Sequence, residues 1–357
     1  MSLCILYLAS PFFFRIPDST VSRYIMLKES IRQTRKCFPN TDIFVFHEDY
    51  TVDEMAKLEG VKQCVRIDFK GFEGIYNRSL PQSRGYLMMC RFFSGIVQSY
   101  PVLQSYTHYM RLDDDSFFQE PYPTQSSISS WLTKDYVYRS LFCEANDQSS
   151  LFEFTMEFVK KELGIQYYLR LPRLYAILRT RGVLLNERYT GLAPYNNFHV
   201  SSFQMWKRPL VRKYIHAIET SGNIFMRGWL DANIHAMIVF VLSQIETIEV
   251  GTDTTFGYRH NTHICPIGSF NALATPGIDF FPGMKELTPW LDTTISPEEL
   301  AAPDVLIPRS GRIVFATFAN TEYMTLDRIV THAKNFNVFD QIFPYTERDF
   351  PEFFKNK

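Results

Sequence analysis

Neither sign of charge dominates the 357-residue chain. It has 37 lysines and arginines against 38 aspartates and glutamates, which gives a formal net charge of −1. A protein that holds a nucleic-acid backbone needs a strongly basic surface, and a polybasic patch is a common means of holding a charged membrane surface. The sequence shows no such excess, so we expect no nucleic acid among the partners of the protein.

Several familiar sequence features are also missing. The chain has no Gly-x-Gly-x-x-Gly, P-loop, His-Glu-x-x-His or Gly-x-Ser-x-Gly motif. Its six cysteines lack Cys-x-x-Cys spacing, which favours reduced thiols over a disulfide framework. The most apolar start, residues 3–14, lacks the flanks of a signal peptide and is too short to cross a bilayer. We therefore expect a soluble, cytoplasmic protein without a membrane span.

Strand and helix signals alternate through the first hundred residues. Segments typical of strands are 3–10, 42–49, 64–69 and 107–112, and segments typical of helices are 18–37, 52–58 and 85–100. This alternation predicts an α/β fold, a mostly parallel sheet with helices on both faces. Ligands of such sheets bind beyond the carboxyl ends of the strands, where Ser10, Glu48 and Asp113–Asp115 fall.

The middle of the chain is richer in helix. We expect one helix over residues 150–163 that ends at Gly164, and another that Pro209 opens and Gly222 ends. A third, apolar on nearly every side, is expected to start with Asp231 as its cap. Residues 1–305 are predicted to form the main domain. Residues 306–357 are predicted to be either a strand–helix extension or the start of a further domain.

Three consecutive aspartates, Asp113–Asp115, follow an apolar strand and precede Phe117 and Phe118. Alternate residues of an extended backbone point to the same side, so Asp113 and Asp115 can converge while Asp114 points away. Mn²⁺ and Mg²⁺ bind such oxygens and share them with phosphates. An isolated Asp-x-Asp is more often a solvated turn, but the flanking aromatic residues favour a dry metal site here.

Blocks in one order along the chain resemble the fungal α-1,2-mannosyltransferases of the Kre/Ktr type, which use GDP-mannose, Mn²⁺ and a GT-A fold. These blocks are GYLMMCRFFSG (Gly85–Gly95), YMRLDDDSFF (Tyr109–Phe118), YNNFHVSSFQMW (Tyr195–Trp206) with RGWLDANIH (Arg227–His235), and FGYRHNTHICP (Phe256–Pro266). The first 84 residues match only in layout. The resemblance implies a GT-A glycosyltransferase that moves a hexose, mannose from GDP-mannose, to a hydroxyl of a glycan acceptor with retention.

The resemblance also implies roles for single residues. Asp115 would be the main carboxylate at the metal, with Asp113 assisting at the metal or at the ribose, and His260 would be a late metal ligand. Tyr86 would lie near the transferred sugar. Asp231 matches an acid of the family, although its role could be that of a helix cap only.

Other positions are less defined by the resemblance. Arg91 and Arg111 would be structural ion pairs, which we favour, or contacts of the diphosphate. His235 is expected to be structural. Gln204 stands where the family has a glutamate often discussed as a nucleophile, and an amide cannot serve as a carboxylate nucleophile.

The change at Gln204 leaves two classes of function open. A transferase could still act if the leaving phosphate takes the acceptor proton and Gln204 hydrogen-bonds the sugar. Alternatively, the protein is a non-catalytic module that binds nucleotide sugars or glycans. A two-metal hydrolase would need more acids or histidines than the sequence clusters.

Overall fold

The computed structural model describes residues 2–10, 13–16, 19–48, 50–69, 76–144, 146–260, 263–265, 267–270 and 273–274. The strands are β1 (Leu3–Ala9), β2 (Phe13–Ile16), β3 (Ser19–Ser22), β4 (Asp42–His47), β5 (Gln63–Arg66), β6 (His108–Asp113), β7 (Ser116–Gln119), β8 (Tyr136–Tyr138), β9 (Leu141–Cys143), β10 (Leu184–Leu185), β11 (Arg188–Tyr189), β12 (Leu192–Pro194), β13 (Phe198–Ser202), β14 (Val250–Thr252), β15 (Gly257–His260), β16 (His263–Cys265) and β17 (Leu273–Ala274).

The α-helices are α1 (Arg23–Cys37), α2 (Val52–Ala56), α3 (Arg84–Arg91), α4 (Gln125–Trp131), α5 (Ser149–Leu163), α6 (Ile165–Thr180), α7 (Phe203–Lys207), α8 (Pro209–Ser221), α9 (Asn223–Arg227) and α10 (Asp231–Ala236). Helix α3 continues into a π-helical turn at Phe92–Ile96 that is kinked at Gly95, and α10 continues into a π-helical turn at Met237–Val241. Short 3₁₀ turns follow at Val97–Ser99, Pro101–Leu103 and Leu242–Gln244.

The main sheet has the strand order β14-β8-β13-β6-β1-β4-β5. Neighbouring strands run parallel except at β13, which is antiparallel to both β6 and β8. The prediction of a mostly parallel sheet is therefore confirmed. Because β1, β4 and β6 point the same way, their carboxyl ends lie along one edge of the sheet.

Both faces of this sheet are covered by apolar side chains. In β1, Cys4 and Leu6 pack into one buried cluster, and Ile5 and Tyr7 pack into another. The Tyr7 hydroxyl lies 3.0 Å from the Ser30 hydroxyl of α1. Strands that are apolar on both faces are typical of parallel sheets flanked by helices, and this explains the near-continuous hydrophobic run at the start of the chain.

A smaller antiparallel sheet, β17-β16-β15-β7, is attached at the end of β6. Strand β7 starts directly after the aspartates, and β15 pairs with it so that His260 lies opposite Ser116. A Cβ atom at Gly257 would lie 2.7 Å from the carbonyl oxygens of Gln119 and Glu120. Only glycine tolerates this close approach, which holds β15 and its histidine against β7.

Two predicted helix starts differ from the structure. The first helix begins at Arg23, because Ser19–Ser22 pairs with Phe13–Ile16 as a hairpin instead of opening the helix. Residues Thr20 and Val21 are β-branched and favour this extended conformation. Asp231 is the first residue of α10 and not its cap, which is Leu230.

Other predicted boundaries are confirmed. Helix α5 ends at Gly164, and α8 runs from Pro209 to a left-handed Gly222. Helix α6 follows directly after Gly164 and was not predicted. The predicted C-terminal extension, residues 306–357, lies outside the described residues, as does the proposed boundary at residue 305.

All six cysteines are free thiols, as predicted. Over the residues that the structure describes, no helix combines the length and the apolar character needed to cross a bilayer. The cytoplasmic location stays a prediction.

Candidate metal centre

Asp113, Asp115 and His260 converge at the carboxyl end of β6. One oxygen from each carboxylate and one imidazole nitrogen all lie within 4.8 Å of one another. His260 Nε2 is 3.0 Å from Asp115 Oδ1 and 3.6 Å from Asp113 Oδ2. Asp115 is buried, whereas Asp113 and His260 are partly open to solvent. The site thus has a buried base and an accessible side from which a ligand can approach.

The two sheets bring these side chains together. Asp113 ends β6, and the turn at Asp114 and Asp115 leads into β7, whose partner β15 ends at His260. The Tyr195 hydroxyl lies 2.8 Å from His260 Nδ1. This contact orients the ring so that Nε2 faces the two carboxylates, the usual arrangement behind a metal-binding histidine.

The donor set fits a divalent cation. Asp115 Oδ1 is buried, and no hydrogen bond to it is found among the described residues, although His260 Nε2 lies 3.0 Å away. A buried carboxylate oxygen needs a positive charge beside it; protonated His260 can supply that charge, and a divalent cation bound between the two groups would take its place. Two carboxylates and one imidazole suit Mn²⁺, while Mg²⁺ prefers oxygen ligands alone.

Asp114 points away from the other two acids, as the alternation predicts. Its carboxylate accepts a hydrogen bond of 2.8 Å from Arg23 Nε at the start of α1. The side chain is buried, and this burial raises the pKa of Asp114, an effect that Arg23 offsets only in part. Asp114 therefore ties α1 to the turn that carries the metal ligands.

Charges inside the centre move its pKa values in opposite directions. Burial alone would raise the pKa of Asp115, but His260 and Arg23 together outweigh this effect and the pKa is lowered. Burial alone would lower the pKa of His260, but Asp115 and Asp113 together outweigh this effect and the pKa is raised. Each group thus favours the charged form of the other, and a cation bound at Nε2 would take the place of the His260 proton.

A second buried acid, Asp231, lies on the opposite side of Arg111. Arg111 Nε donates to Asp113 Oδ1 at 3.0 Å, and its Nη1 pairs with Asp231 Oδ2. The guanidinium carbon lies 3.7 Å from the centre of the Phe93 ring. Asn196 Nδ2 donates to Asp231 Oδ2 at 2.9 Å. Arg111 is therefore a structural ion-pair partner that links the two acids.

This network explains why Asp231 does not cap its helix. Burial alone would raise the pKa of Asp231, but the groups around it, Arg111 foremost, together outweigh this effect and the pKa is lowered. His235, one turn later, is structural: its Nε2 lies 3.0 Å from the Phe93 carbonyl oxygen and its Nδ1 lies 3.0 Å from the Tyr136 hydroxyl. Because its pKa is lowered, Asp231 stays ionised at neutral pH.

Tyr86 and Arg91 occupy the same helix, α3. Tyr86 is 44% exposed, so it is open to a ligand. Burial of its phenol nevertheless raises its pKa, and the negative charges of Asp231 and Asp113 contribute to the rise. Arg91 forms an ion pair with Glu219 of α8.

Ser10 and Glu48 follow adjacent parallel strands. Ala9 lies beside His47, and Leu8 lies beside Asp113, so both residues share the edge of the metal centre. The carbonyl oxygen of Ser10 accepts a hydrogen bond of 2.6 Å from the Tyr50 hydroxyl. Their predicted contact with a nucleotide stays a prediction.

Gln204 is not brought to this edge. It is exposed on α7, which follows β13, and β13 runs opposite to β6. The Phe203 amide donates to the Thr107 carbonyl at 3.0 Å, which fixes α7 at the amino end of β6. At about 3.3 Å per strand residue, Gln204 lies roughly 20 Å from Asp113. The expected contact of Gln204 with the sugar is therefore not supported by this geometry.

Three consecutive residues support the site without having been predicted to do so. Tyr195 contacts His260, Asn196 binds Asp231, and Asn197 Oδ1 accepts a hydrogen bond of 2.8 Å from the Tyr258 hydroxyl. The Tyr-Asn-Asn block was visible in the sequence. Its roles were not, because each depends on a partner far away in the chain.

Known structures share this fold. Over 84% of this chain and 83% of the other, it superposes on the mannosyltransferase Ktr4p from Saccharomyces cerevisiae with a TM-score of 0.60 and 18% identity. Core-mannan synthase A from Aspergillus fumigatus, solved in a Mn/GDP form, matches over 79% and 81% with a TM-score of 0.53 and 14% identity. The protein therefore has the GT-A glycosyltransferase fold.

Sequence comparison defines the family. The family model described as glycolipid 2-alpha-mannosyltransferase matches residues 73–273, more than half of the chain. The protein belongs to this family. Glycolipid 2-alpha-mannosyltransferase 1 of Candida albicans is 26% identical over 190 residues, 52% of this chain and 42% of that protein.

A fission-yeast relative gives the same result. O-glycoside alpha-1,2-mannosyltransferase omh1 of Schizosaccharomyces pombe is 26% identical over 186 residues, 51% of this chain and 45% of that protein. The match spans less than half the length of these curated relatives.

Proposed function

We propose that the protein is a divalent-cation-dependent glycosyltransferase that transfers mannose from GDP-mannose to a hydroxyl of a glycan acceptor. One observation carries this proposal: a chain of the glycolipid 2-alpha-mannosyltransferase family places Asp113, Asp115 and His260 within 4.8 Å of one another. The centre lies beyond the carboxyl ends of parallel strands, where α/β sheets bind nucleotides.

The cation would be held by Asp115 at the buried base, with Asp113 and His260 closer to solvent. When bound, it would neutralise the negative charge that develops on the departing diphosphate. The aromatic side chains Phe117 and Tyr258 beside β7 keep water from the buried side, because both are nearly fully buried. The imidazole of His260 in the donor set favours Mn²⁺, in agreement with the Mn/GDP form of core-mannan synthase A.

The nucleoside would lie over the ends of β1 and β4. Ser10 and Glu48 follow neighbouring strands there. The Glu48 carboxylate accepts a long hydrogen bond, 3.4 Å, from the Phe69 amide. Among the described residues, the Glu48 carboxylate accepts this one long hydrogen bond and can accept further bonds, and guanine offers two N–H donors side by side. We therefore assign Glu48 to the base and Ser10 to the ribose or phosphates.

The sugar would lie between Tyr86 and Asp231. Asp231 is held ionised by Arg111 and Asn196, so it can accept hydrogen bonds from a sugar hydroxyl and stabilise positive charge on the ring. In a reaction with retention, the leaving phosphate takes the proton of the acceptor hydroxyl. The open side at Tyr86 leaves room for that acceptor.

The non-catalytic alternative loses its main support. It rested on Gln204 in place of a glutamate, but Gln204 lies at the amino end of β6. The acids that the proposal needs are all present at the opposite end.

The first experiment measures nucleotide binding. We expect GDP to raise the melting temperature with Mn²⁺, less with Mg²⁺, and not with a chelator. Asp115→Asn and His260→Ala should abolish the Mn²⁺-dependent shift. His216→Ala, on the exposed face of α8, is the matched control and should retain it. An unchanged shift in Asp115→Asn would refute the metal assignment.

The second experiment measures turnover. Slow release of GDP from GDP-mannose, faster than nucleotide release from UDP-sugars and faster still with mannosides as acceptors, is the expected result. Binding of GDP with Mn²⁺ but no release from any donor would instead support a binding module.

A further inference from the structure

The corner between α5 and α6 exposes a cluster of apolar side chains. Ile165 is 77% exposed, Leu169 is 70% exposed and Tyr168 is 59% exposed, all within the first two turns of α6. Arg170 and Arg173 are exposed on the same helix, and Lys161 is exposed at the end of α5. We call these six residues the corner surface. Single exposed apolar residues are ordinary, but a contiguous group with basic neighbours marks an interaction site.

The charge of this region is one-sided. From residue 165 to residue 181 the chain has four arginines and no acid, and Arg179 among them pairs with Glu187. On α5, Glu162 is paired with Lys213 at 2.5 Å, and Glu157 lies 3.7 Å from Lys160. The balanced composition of the whole chain therefore hides a local positive excess.

A cavity of about 400 Å³ adjoins the corner surface. Leu163, Leu174 and Ile177 are among its apolar walls, and Arg170 and Arg173 line it as well. This combination of apolar wall and guanidinium groups matches an amphiphile with an anionic head. Ser243–Ile245 also line the cavity, after the helical segment that begins at Asp231. At 1.5 Å per residue, they lie about 20 Å from Asp231, so the cavity is separate from the candidate metal centre.

We propose that the corner surface docks on a membrane that contains anionic phospholipids. The apolar side chains of Ile165, Tyr168 and Leu169 enter the boundary between headgroups and acyl chains, and Arg170 and Arg173 bind lipid phosphates. A second copy of the chain fits less well, because a symmetric dimer would bring the same arginines together. The proposal is independent of the transferase activity.

Vesicle co-sedimentation of the full chain tests the proposal. We expect binding to phosphatidylcholine vesicles with about 30% phosphatidylserine, weak binding without it, and loss of binding at high salt. Arg170→Ala combined with Arg173→Ala should weaken binding about 30-fold, since each charge near the surface is worth about fivefold. Ile165→Ser combined with Leu169→Ser should weaken it at least about tenfold.

Matched controls separate the site from general effects. Val52→Ser replaces a residue that is 84% exposed on α2, and Lys207→Ala removes a charge on α7; both should leave vesicle binding unchanged. The corner variants should keep the wild-type urea midpoint and the shift with GDP and Mn²⁺. Absence of binding to phosphatidylserine vesicles, or equal losses in the controls, would overturn the proposal. Sedimentation velocity that shows a dimer lost in the corner variants would assign the surface to self-association instead.

Discussion

Replacement of Arg111 by methionine tests the buried network most directly. Arg111 is 2% exposed and pairs with two acids, Asp113 and the 3% exposed Asp231. Methionine keeps much of the volume and the contact with Phe93 but removes the charge. Asp231 would then be a buried carboxylate that has lost its ion-pair partner and keeps the hydrogen bond from Asn196.

The magnitude follows from the cost of a lone buried charge. Removal of one partner of a buried ion pair costs about 3–5 kcal/mol of unfolding free energy. A partly exposed pair costs far less, about 0.2–1 kcal/mol. Lys213→Met is therefore the matched control, because Lys213 pairs with Glu162 at the surface, where its side chain is 61% exposed.

Urea unfolding at pH 7 with a chelator measures both variants without a contribution from bound cation. Arg111→Met should lose several kcal/mol and Lys213→Met should lose about 1 kcal/mol or less. The double variant Arg111→Met/Asp231→Asn should recover part of the loss, because the uncompensated charge is gone. A loss in Arg111→Met no larger than that in Lys213→Met would refute the reasoning.

Further predictions concern single positions. Tyr195→Phe should weaken Mn²⁺ binding by about 10- to 100-fold in calorimetry, because His260 loses the partner that orients it; an unchanged affinity would remove Tyr195 from that role. Burial lowers the pKa of His235 to about 4, below its unfolded value, so the unfolding free energy should fall by about 3 kcal/mol as pH drops from 6.5 towards 4. His235→Gln should show a shallower fall, and an equal slope would contradict the assignment. Gln204→Ala should leave both GDP binding and turnover unchanged, and slower turnover would show that α7 reaches the sugar after all.

The parallel sheet could be predicted because its signal is local. Each of β1, β4 and β6 is an apolar run, helices alternate with these runs, and the pattern predicts that the polar residues after them meet at one edge. Asp113 and Asp115 could be paired from alternation alone. His260 could not be placed from the residues themselves, since its approach depends on the pairing of β15 with β7, and only the family resemblance suggested it.

The position of Gln204 could not be predicted from the sequence. A motif match suggests a role for a residue, but it does not tell whether the strand before that residue runs parallel or antiparallel to its neighbours. Strand β13 is the antiparallel member of the main sheet, so residues at its start, Asn196 and Asn197, lie at the site, while Gln204 after its end lies far away. Reversal of one strand is a tertiary property, set by pairing with β6 and β8.

The two predicted helix starts were wrong for a different reason. Aspartate often caps a helix, but the carboxylate of Asp231 pairs with the buried charge of Arg111 instead. The ion pair with a buried partner outweighs a cap, which is worth about 1 kcal/mol. The hairpin Phe13–Ile16 and Ser19–Ser22 displaced the predicted start of α1 in the same way, through a partner outside the helix.

The proposed metal ligands come from the end of one strand, β6, with the turn after it, and from the last residue of another strand more than a hundred positions later. A bound cation would therefore cross-link two segments of the chain that are distant in sequence. At a concentration one hundred times its dissociation constant, it would add about 2.7 kcal/mol to the stability of the folded chain. Scarcity of manganese in the cell would then reduce not only the rate of sugar transfer but also the lifetime of the protein against proteases.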